Sequence, residues 1–230
     1  MKLVFDIGYN HGEFTKAVLE KYPDCEVVCV EANPNLRLTQ KHFNCFNTPF
    51  YNKLCAEVSG EERGFYIAPQ DGISTASHKW MEESRFAKGS DLLPEKTGRW
   101  QGPFKIKTIT LDDLVGGHGT PDLIKIDVEG YELNVLQGLS KKQKMITFEW
   151  VEEDIWPTLK CIRHLVKLGY NEFGATSYFR DEGLTHDEGG DTYLEEPKKD
   201  EWFDSGVLGN FLEKASHPNR RVNYGMVFAR

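Results

Sequence analysis

The ten residues Leu3-Val4-Phe5-Asp6-Ile7-Gly8-Tyr9-Asn10-His11-Gly12 constrain this chain more than any other stretch. An apolar run of strand length meets an acid, then two glycines, then a helical pattern. That is the layout of a strand delivering backbone amides to a ligand at a helix start. Gly8 and Gly12 allow close backbone approach and unusual dihedrals. Their Gly-x-x-x-Gly spacing differs from the G-x-G-x-x-G of dinucleotide sites. His11, at the helix start, is expected to be neutral and to serve the loop rather than chemistry.

Downstream the pattern alternates. Strands are predicted at 2–7, 26–30 and 51–58, with helices at 13–22 and 33–43 between them; Pro34 falls in the first turn of the second. Further strands are predicted at 104–109, 122–127, 145–151, 170–173 and 224–229, with helices at 131–139 and 154–168. The second of these helices carries Ile155, Leu159, Ile162, Leu165 and Val166 on one face. Thr110-Leu111-Asp112-Asp113-Leu114 reads as the start of a short capped helix. Strand–helix alternation implies parallel pairing with right-handed crossovers, an α/β fold. No repeat and no second domain boundary stands out, so 1–230 is expected to form one domain. Residues 69–103 read as a long excursion with one helix at 77–86. Residues 181–206 are acidic, Gly-rich and interspersed with aromatics, including Tyr193.

In parallel sheets, ligands bind beyond the carboxyl ends of the strands. Four predicted strands end in acids there: Asp6, Glu31, Asp127 and Glu149. Glu31 stands 25 positions after Asp6, where a carboxylate grips ribose hydroxyls. Asp6 would repel a phosphate and attract an ammonium. A nucleoside with a cationic tail fits, and S-adenosylmethionine is such a cofactor. The Asp6, Gly8, Tyr9, Asn10 and Gly12 loop is assigned its methionine end. Glu31, with Ala32 and Asn33 beside it, is assigned the nucleoside.

Period 2 places Lys125 and Asp127 on one face of their strand, with Asp127 the nearest expected partner of the lysine. Trp156 and Trp202 are candidates for a sugar or aromatic wall.

Composition closes off other classes. A net charge of −8 disfavours a nucleic-acid partner, which would need clustered Lys and Arg. No apolar run is long enough to span a bilayer, so no membrane partner is expected. The cysteines, Cys25, Cys29, Cys45, Cys55 and Cys161, are odd in number and form no CxxC pair, which points to reduced thiols in a cytoplasmic setting. No signal-peptide-length segment precedes the first strand. No zinc-ligand spacing is present, and no tight acid cluster is visible locally, so no metal is expected.

The sequence resembles the FkbM-type S-adenosylmethionine-dependent methyltransferases. The matching pieces are Phe5-Asp6-Ile7-Gly8-Tyr9-Asn10-His11-Gly12, Val30-Glu31-Ala32-Asn33-Pro34, Thr110 to Leu114, and Asp122-Leu123-Ile124-Lys125-Ile126-Asp127-Val128-Glu129-Gly130-Tyr131-Glu132. Leu136-Gln137-Gly138 and Phe148-Glu149 follow. The resemblance implies a class I methyltransferase, Rossmann-like sheet of seven strands in the order 3-2-1-4-5-7-6, the seventh antiparallel, with helices on both faces. Asp6, Asp127 and Glu149 would then share one rim. It also implies O-methylation, often of a sugar hydroxyl in a glycan or natural product.

For that reaction the general base is expected to be Asp127, with Glu129 as the alternate. Lys125 would hold the carboxylate or polarise the acceptor. The acceptor is expected to be a polar, neutral small molecule or glycan walled by 69–103 and 181–206. The competing readings are a non-catalytic nucleoside-binding module, a methyltransferase for a non-sugar natural product, and an NAD-type oxidoreductase, the last disfavoured by the glycine spacing. The chain is either a minimal enzyme, a domain of a larger multi-enzyme chain, or an enzyme whose lid is 69–103.

Overall fold

The computed structural model describes residues 1–36, 48–87, 100–178, 185–186, 194, 196–215 and 223–230. β1 (Leu3–Ile7) leads into α1 (Glu13–Lys21), then β2 (Glu26–Val30) and β3 (Phe50–Tyr51). After a detour come β7 (Leu123–Ile126), α4 (Glu132–Gln137), β8 (Ile146–Val151), α5 (Ile155–Lys167) and β9 (Phe173–Ser177). β10 (Thr185–His186), α6 (Ser205–Ala215) and β11 (Tyr224–Ala229) complete the chain. These strands form one eight-stranded sheet in the order β10-β9-β11-β8-β7-β1-β2-β3. β11 runs antiparallel to both its neighbours, and the other pairs are parallel.

The seven expected strands keep their expected order. The departure is an eighth, β10, added parallel to the edge of β9. The sheet interior is largely apolar, as a sheet covered on both sides requires, with Val4, Val27, Cys29 and Leu123 in a second cluster on the face that also carries the buried Asp6 and Lys125. Phe5, Ile7, Val28, Ile124, Ile126, Ile146 and Phe148 all lie buried in one cluster.

The detour builds a second sheet. β4 (Leu54–Cys55), β5 (Glu62–Ile67) and β6 (Gln101–Ile109) pair in the order β4-β6-β5. The strand expected at 51–58 is therefore two short strands in different sheets. Asn52 separates them: its amide Nδ2 donates to the Glu31 carbonyl at 2.8 Å and the Asn33 carbonyl at 3.3 Å. Those bonds turn the chain off the main sheet. β6 starts at Gln101, inside the stretch expected to be an irregular excursion. The helix expected at 77–86 is α2 (His78–Glu83), capped by the Ser77 hydroxyl, which accepts from the Trp80 N–H. The short capped helix is α3 (Leu111–His118), with a Thr110–Asp113 capping box.

The buried stripe of α5 is Thr158, Cys161, Ile162 and Leu165, whereas Val166, expected on it, is 42% exposed. Position 166, eight residues beyond Thr158, lies at the edge of the apolar arc rather than at its centre. α6 has no counterpart in the expected elements. Its signals are Leu208, Leu212 and Ala215 at helical spacing, and Asp204, whose Oδ1 accepts from the Gly206 and Val207 N–H groups.

Beyond a single 3-10 turn at 34–36, the helix expected at 33–43 lies outside the described residues, as do Cys45, Tyr193 and most of 181–195. Cys25, Cys29, Cys55 and Cys161 are buried thiols outside any disulfide among the described residues. Among the described residues, no helix is long and apolar enough to cross a membrane.

Candidate active site

Gly8 leaves β1 with φ +82°, and its N–H and that of Tyr9 donate to the Val30 carbonyl at 3.0 and 3.1 Å. A Cβ on Gly8 would lie 1.8 Å from the Asp127 carbonyl oxygen. No side chain fits there, so glycine lets the loop pass between β2 and β7.

Beneath the loop lies a buried polar joint. Lys125 Nζ donates to the Gly8 carbonyl at 2.8 Å and to Asp6 Oδ1 at 3.2 Å. Asp6 Oδ2 accepts from the Thr15 hydroxyl of α1 at 2.6 Å. Asp6 is wholly buried and lines neither cavity described below. The expectation that it meets the cofactor's ammonium is corrected: Thr15 and Lys125 occupy its carboxylate. Asp127 Oδ2, the expected first partner of Lys125, stands third at 3.6 Å. Burial pulls the Lys125 ammonium down, but Asp6 and Asp127 outweigh it and hold its pKa above the ordinary value.

Glu31 closes the end of β2. Its Oε2 accepts from Asn10 N–H at 2.8 Å and its Oε1 from Asn33 N–H at 2.6 Å. Burial raises this carboxyl against those two donors. Asn10 is held at φ +47°, and its Oδ1 is buried with no hydrogen-bond partner. Asn33 also caps the Asn35 N–H through Oδ1 and lines neither cavity. Nor does Gly12, which packs against the Tyr9 ring. Tyr9 is itself buried edge-on to Phe50.

Two cavities meet over this loop. The first has walls from Ile7, Val30, Ala32, Leu54 and Phe65, with Glu31 at its side. The second is larger and opens to solvent. It is lined by Glu13, Lys125, Asp127, Glu129 and Glu149, with Arg85 and Tyr224 at its far side. Gly8, Asn10, Asp71, Gly72, Asp127 and Glu129 line both.

The pair suits a two-part ligand with an apolar base, a diol and a cationic end. Each Glu31 oxygen retains a lone pair for a hydroxyl, and the orphaned Asn10 oxygen awaits a donor. The residues present therefore fit S-adenosylmethionine.

The second cavity holds a cluster that the local sequence concealed. Carboxylate oxygens of Asp127, Glu129 and Glu149 lie within 4.8 Å of one another. Ile126 pairs with Phe148, so Asp127 and Glu149 emerge side by side from adjacent parallel strands. Glu129 joins them through a left-handed turn, with φ +56° followed by Gly130 at +83°. The turn is pinned from both sides. Glu132 Oε1 accepts from Val128 N–H at 3.3 Å and Gly130 N–H at 3.1 Å, and the Thr75 hydroxyl donates to the Glu129 carbonyl at 2.7 Å.

Burial raises the Glu129 and Glu149 carboxyls well above the usual range. Neighbouring acids raise them further, and Arg85 opposes both. Three carboxylates at this spacing are also a donor set for a hard cation. The expectation of metal-free chemistry rested on the lack of such a cluster, and that ground is removed.

Asp71, Gly72, Arg85 and Tyr224 line the site without having been singled out from sequence. Asp71 meets His11 Nε2 at 3.2 Å, which ties the excursion to the glycine loop. Arg85 is anchored by Glu153 through its backbone N–H and its Nη1. Nothing local marks these residues, since the excursion folds back over the site only in three dimensions. The two expected wall tryptophans lie elsewhere. Trp156 is 64% exposed on α5, and Trp202 stacks under Arg230. Neither lines either cavity.

Residues 6–171 match the model of the methyltransferase FkbM domain. The chain is 25% identical over 175 residues to the 2-O-methyltransferase NoeI of Sinorhizobium fredii, covering 72% of this chain and 70% of that protein. It is 43% identical over 54 residues to the hexuronic acid methyltransferase AglP of Haloferax volcanii, covering 23% of each. Among solved structures, the FkbM methyltransferase of Methylobacillus flagellatus aligns with a TM-score of 0.46 and 16% identity, over 76% of this chain and 39% of that one.

Proposed function

The chain belongs to the FkbM methyltransferase family and uses S-adenosylmethionine, and from that premise we propose that it methylates a sugar hydroxyl. The observation that carries this reading is the convergence of Asp127, Glu129 and Glu149 beside the Glu31 cavity. A sugar hydroxyl is a weak nucleophile and needs a base within hydrogen-bond reach. The relatives named for 2-O-methyl transfer and for hexuronic acid methylation support a sugar acceptor.

When bound, S-adenosylmethionine supplies an electrophilic methyl group on a sulfonium. Glu31 and Ala32 hold the nucleoside, and Gly8, Asn10 and the acids beyond them face the cationic end. Glu129 takes the hydroxyl proton. It replaces Asp127 as first choice because burial raises the Glu129 carboxyl, whereas Asp127 Oδ2 is engaged by the Lys125 ammonium at 3.6 Å. Asp127 and Glu149 orient the hydroxyl groups of the acceptor. Lys125 acts from beneath, through Asp6 and the Gly8 carbonyl, and is a positioning residue rather than an acceptor contact.

A labelled-methyl transfer assay against a panel of glycans and glycosides, scored by mass, tests the proposal. Label on a sugar oxygen is the expected result. Transfer only to non-sugar acceptors would replace the sugar assignment. Tight cofactor binding with no transfer to any acceptor would favour a binding module, a reading that leaves three converging carboxylates without a role.

A further inference from the structure

We propose that the stacked pair Tyr178–Tyr224 forms an outer subsite, which holds the sugar ring next to the one being methylated. This inference rests on the sugar reading above. Tyr224 opens β11 and Tyr178 follows the end of β9, so both stand on the same rim as the acid cluster. Their rings are parallel within 13° at a centroid distance of 5.1 Å. The Tyr178 N–H donates to the Tyr224 carbonyl at 2.9 Å, which fixes the two backbones together.

The pair is continuous with the active site. Glu149 faces Met226 and Val151 faces Tyr224 in the β8–β11 register. Tyr224 therefore stands one side-chain step beyond Glu149 on the same face, roughly 7 Å along the strand. Tyr224 lines the acid-walled cavity, with Arg85 over its ring at 5.6 Å. Tyr178 extends that wall outward and is 49% exposed.

A single exposed tyrosine is ordinary. Here the exposed ring is the outer leaf of a stack, built onto a cleft whose other walls include four carboxylates and a guanidinium: Asp71, Asp127, Glu129, Glu149 and Arg85. A flat apolar face beside dense hydrogen-bonding groups matches the two sides of a pyranose: axial C–H bonds on one, hydroxyls around the edge. With one ring at the carboxylates, the tyrosine leaf lies where a glycosidically linked neighbour would sit. The acceptor class is then an oligosaccharide or glycoside chain rather than a free monosaccharide.

The test uses matched methyl monosaccharides and methyl disaccharides of glucose, galactose, mannose and glucuronic acid. Transfer kinetics are measured, together with direct sugar binding by saturation-transfer NMR on protein saturated with S-adenosylhomocysteine. The wild type is expected to prefer one disaccharide over its monosaccharide. Tyr178→Ala should cut that preference about 2- to 12-fold, the range of one aromatic stacking contact. Tyr178→Trp should retain it. Trp156→Ala, which removes an exposed ring outside the site, serves as the control and should match the wild type.

A preference that Tyr178→Ala leaves intact, or none in the wild type by either measurement, would overturn the subsite while leaving sugar methylation standing if transfer occurs. Tyr178-dependent disaccharide binding with no transfer to any sugar would instead uphold the subsite and refute the methylation reading.

Discussion

The ammonium of Lys125 donates to the carbonyl oxygen of Gly8 at 2.8 Å, across 117 positions of sequence. Through that one bond β7 holds the glycine loop of β1 in place, and the same nitrogen neutralises Asp6 beneath it. A lysine this deeply buried is stable only because its partners are charged or carry aligned dipoles.

Lys125→Met should therefore destabilise the protein by about 3–5 kcal/mol, because it leaves Asp6 buried without its counter-charge. The double variant Asp6→Asn/Lys125→Met should lose less than the two single losses combined. Urea unfolding of the four proteins measures this coupling, and strict additivity would refute the joint.

Gly8→Ala is expected to be more damaging than its size suggests. Its Cβ would meet the Asp127 carbonyl oxygen at 1.8 Å, at a φ of +82° that L-residues rarely adopt. The chain must shift where β2 and β7 flank the glycine loop. A thermal melt showing wild-type stability together with unchanged S-adenosylhomocysteine affinity would contradict this.

Glu31→Ala should weaken S-adenosylhomocysteine binding by about 1–3 kcal/mol, through lost hydroxyl contacts and two released backbone donors. Glu31→Gln keeps one carbonyl acceptor and should lose less. Isothermal calorimetry separates the three proteins. Equal affinities would remove Glu31 from the nucleoside site.

The pH dependence of turnover follows from the acid cluster. A raised carboxyl keeps its proton to higher pH, so a Glu129 base becomes active only as pH climbs through its elevated pKa. Asp127→Asn removes the neighbouring negative charge that adds to the effect of burial, and should move the acidic limb of the rate profile to lower pH. Glu129→Gln should abolish the limb along with most of the turnover. A limb that stays in place in Asp127→Asn would break the link between the two residues.

Stability should carry a second pH signature. Burial raises the Glu132 carboxyl from 4.5 to about 7. Between those values the folded state binds the extra proton, so this residue's contribution is full below about 4.5 and is lost as pH rises to about 7. The loss is on the order of 3 kcal/mol. Asp122 works in the opposite sense and lower down. Its hydrogen bond from Lys144 lowers its carboxyl to about 2, so its contribution is lost as pH falls from 3.8 toward 2. Chemical denaturation of Glu132→Gln should show a flatter profile between pH 4.5 and 7, and a slope equal to that of the wild type would refute the assignment.

Much of the fold was legible because its signals are local. The apolar runs of β1, β2, β7 and β8 need burial on both faces wherever they sit, and the Thr110–Asp113 box caps its helix with four consecutive residues. Gly8 and Glu31 were legible for the same reason, since a strand end, a turn and an acid are read within a few positions.

Contacts between distant segments were not legible. Asp6 looked like a rim acid, yet Thr15 and Lys125 bury it; the burial of a carboxylate depends on what packs over it. Asp127 and Glu129 were visible as a pair. Only the β7–β8 register brings Glu149 to them, and only packing buries the two glutamates beside other acids and so raises them, because burial and charge repulsion depend on position in space rather than in sequence. Arg85 and Tyr224 reach the same cleft from an excursion and from the last strand. The local order of residues determined a strand, a glycine turn and an acid at the end of the next strand, while tertiary packing decided which carboxylates converge in one cleft and which one lies buried beneath the loop.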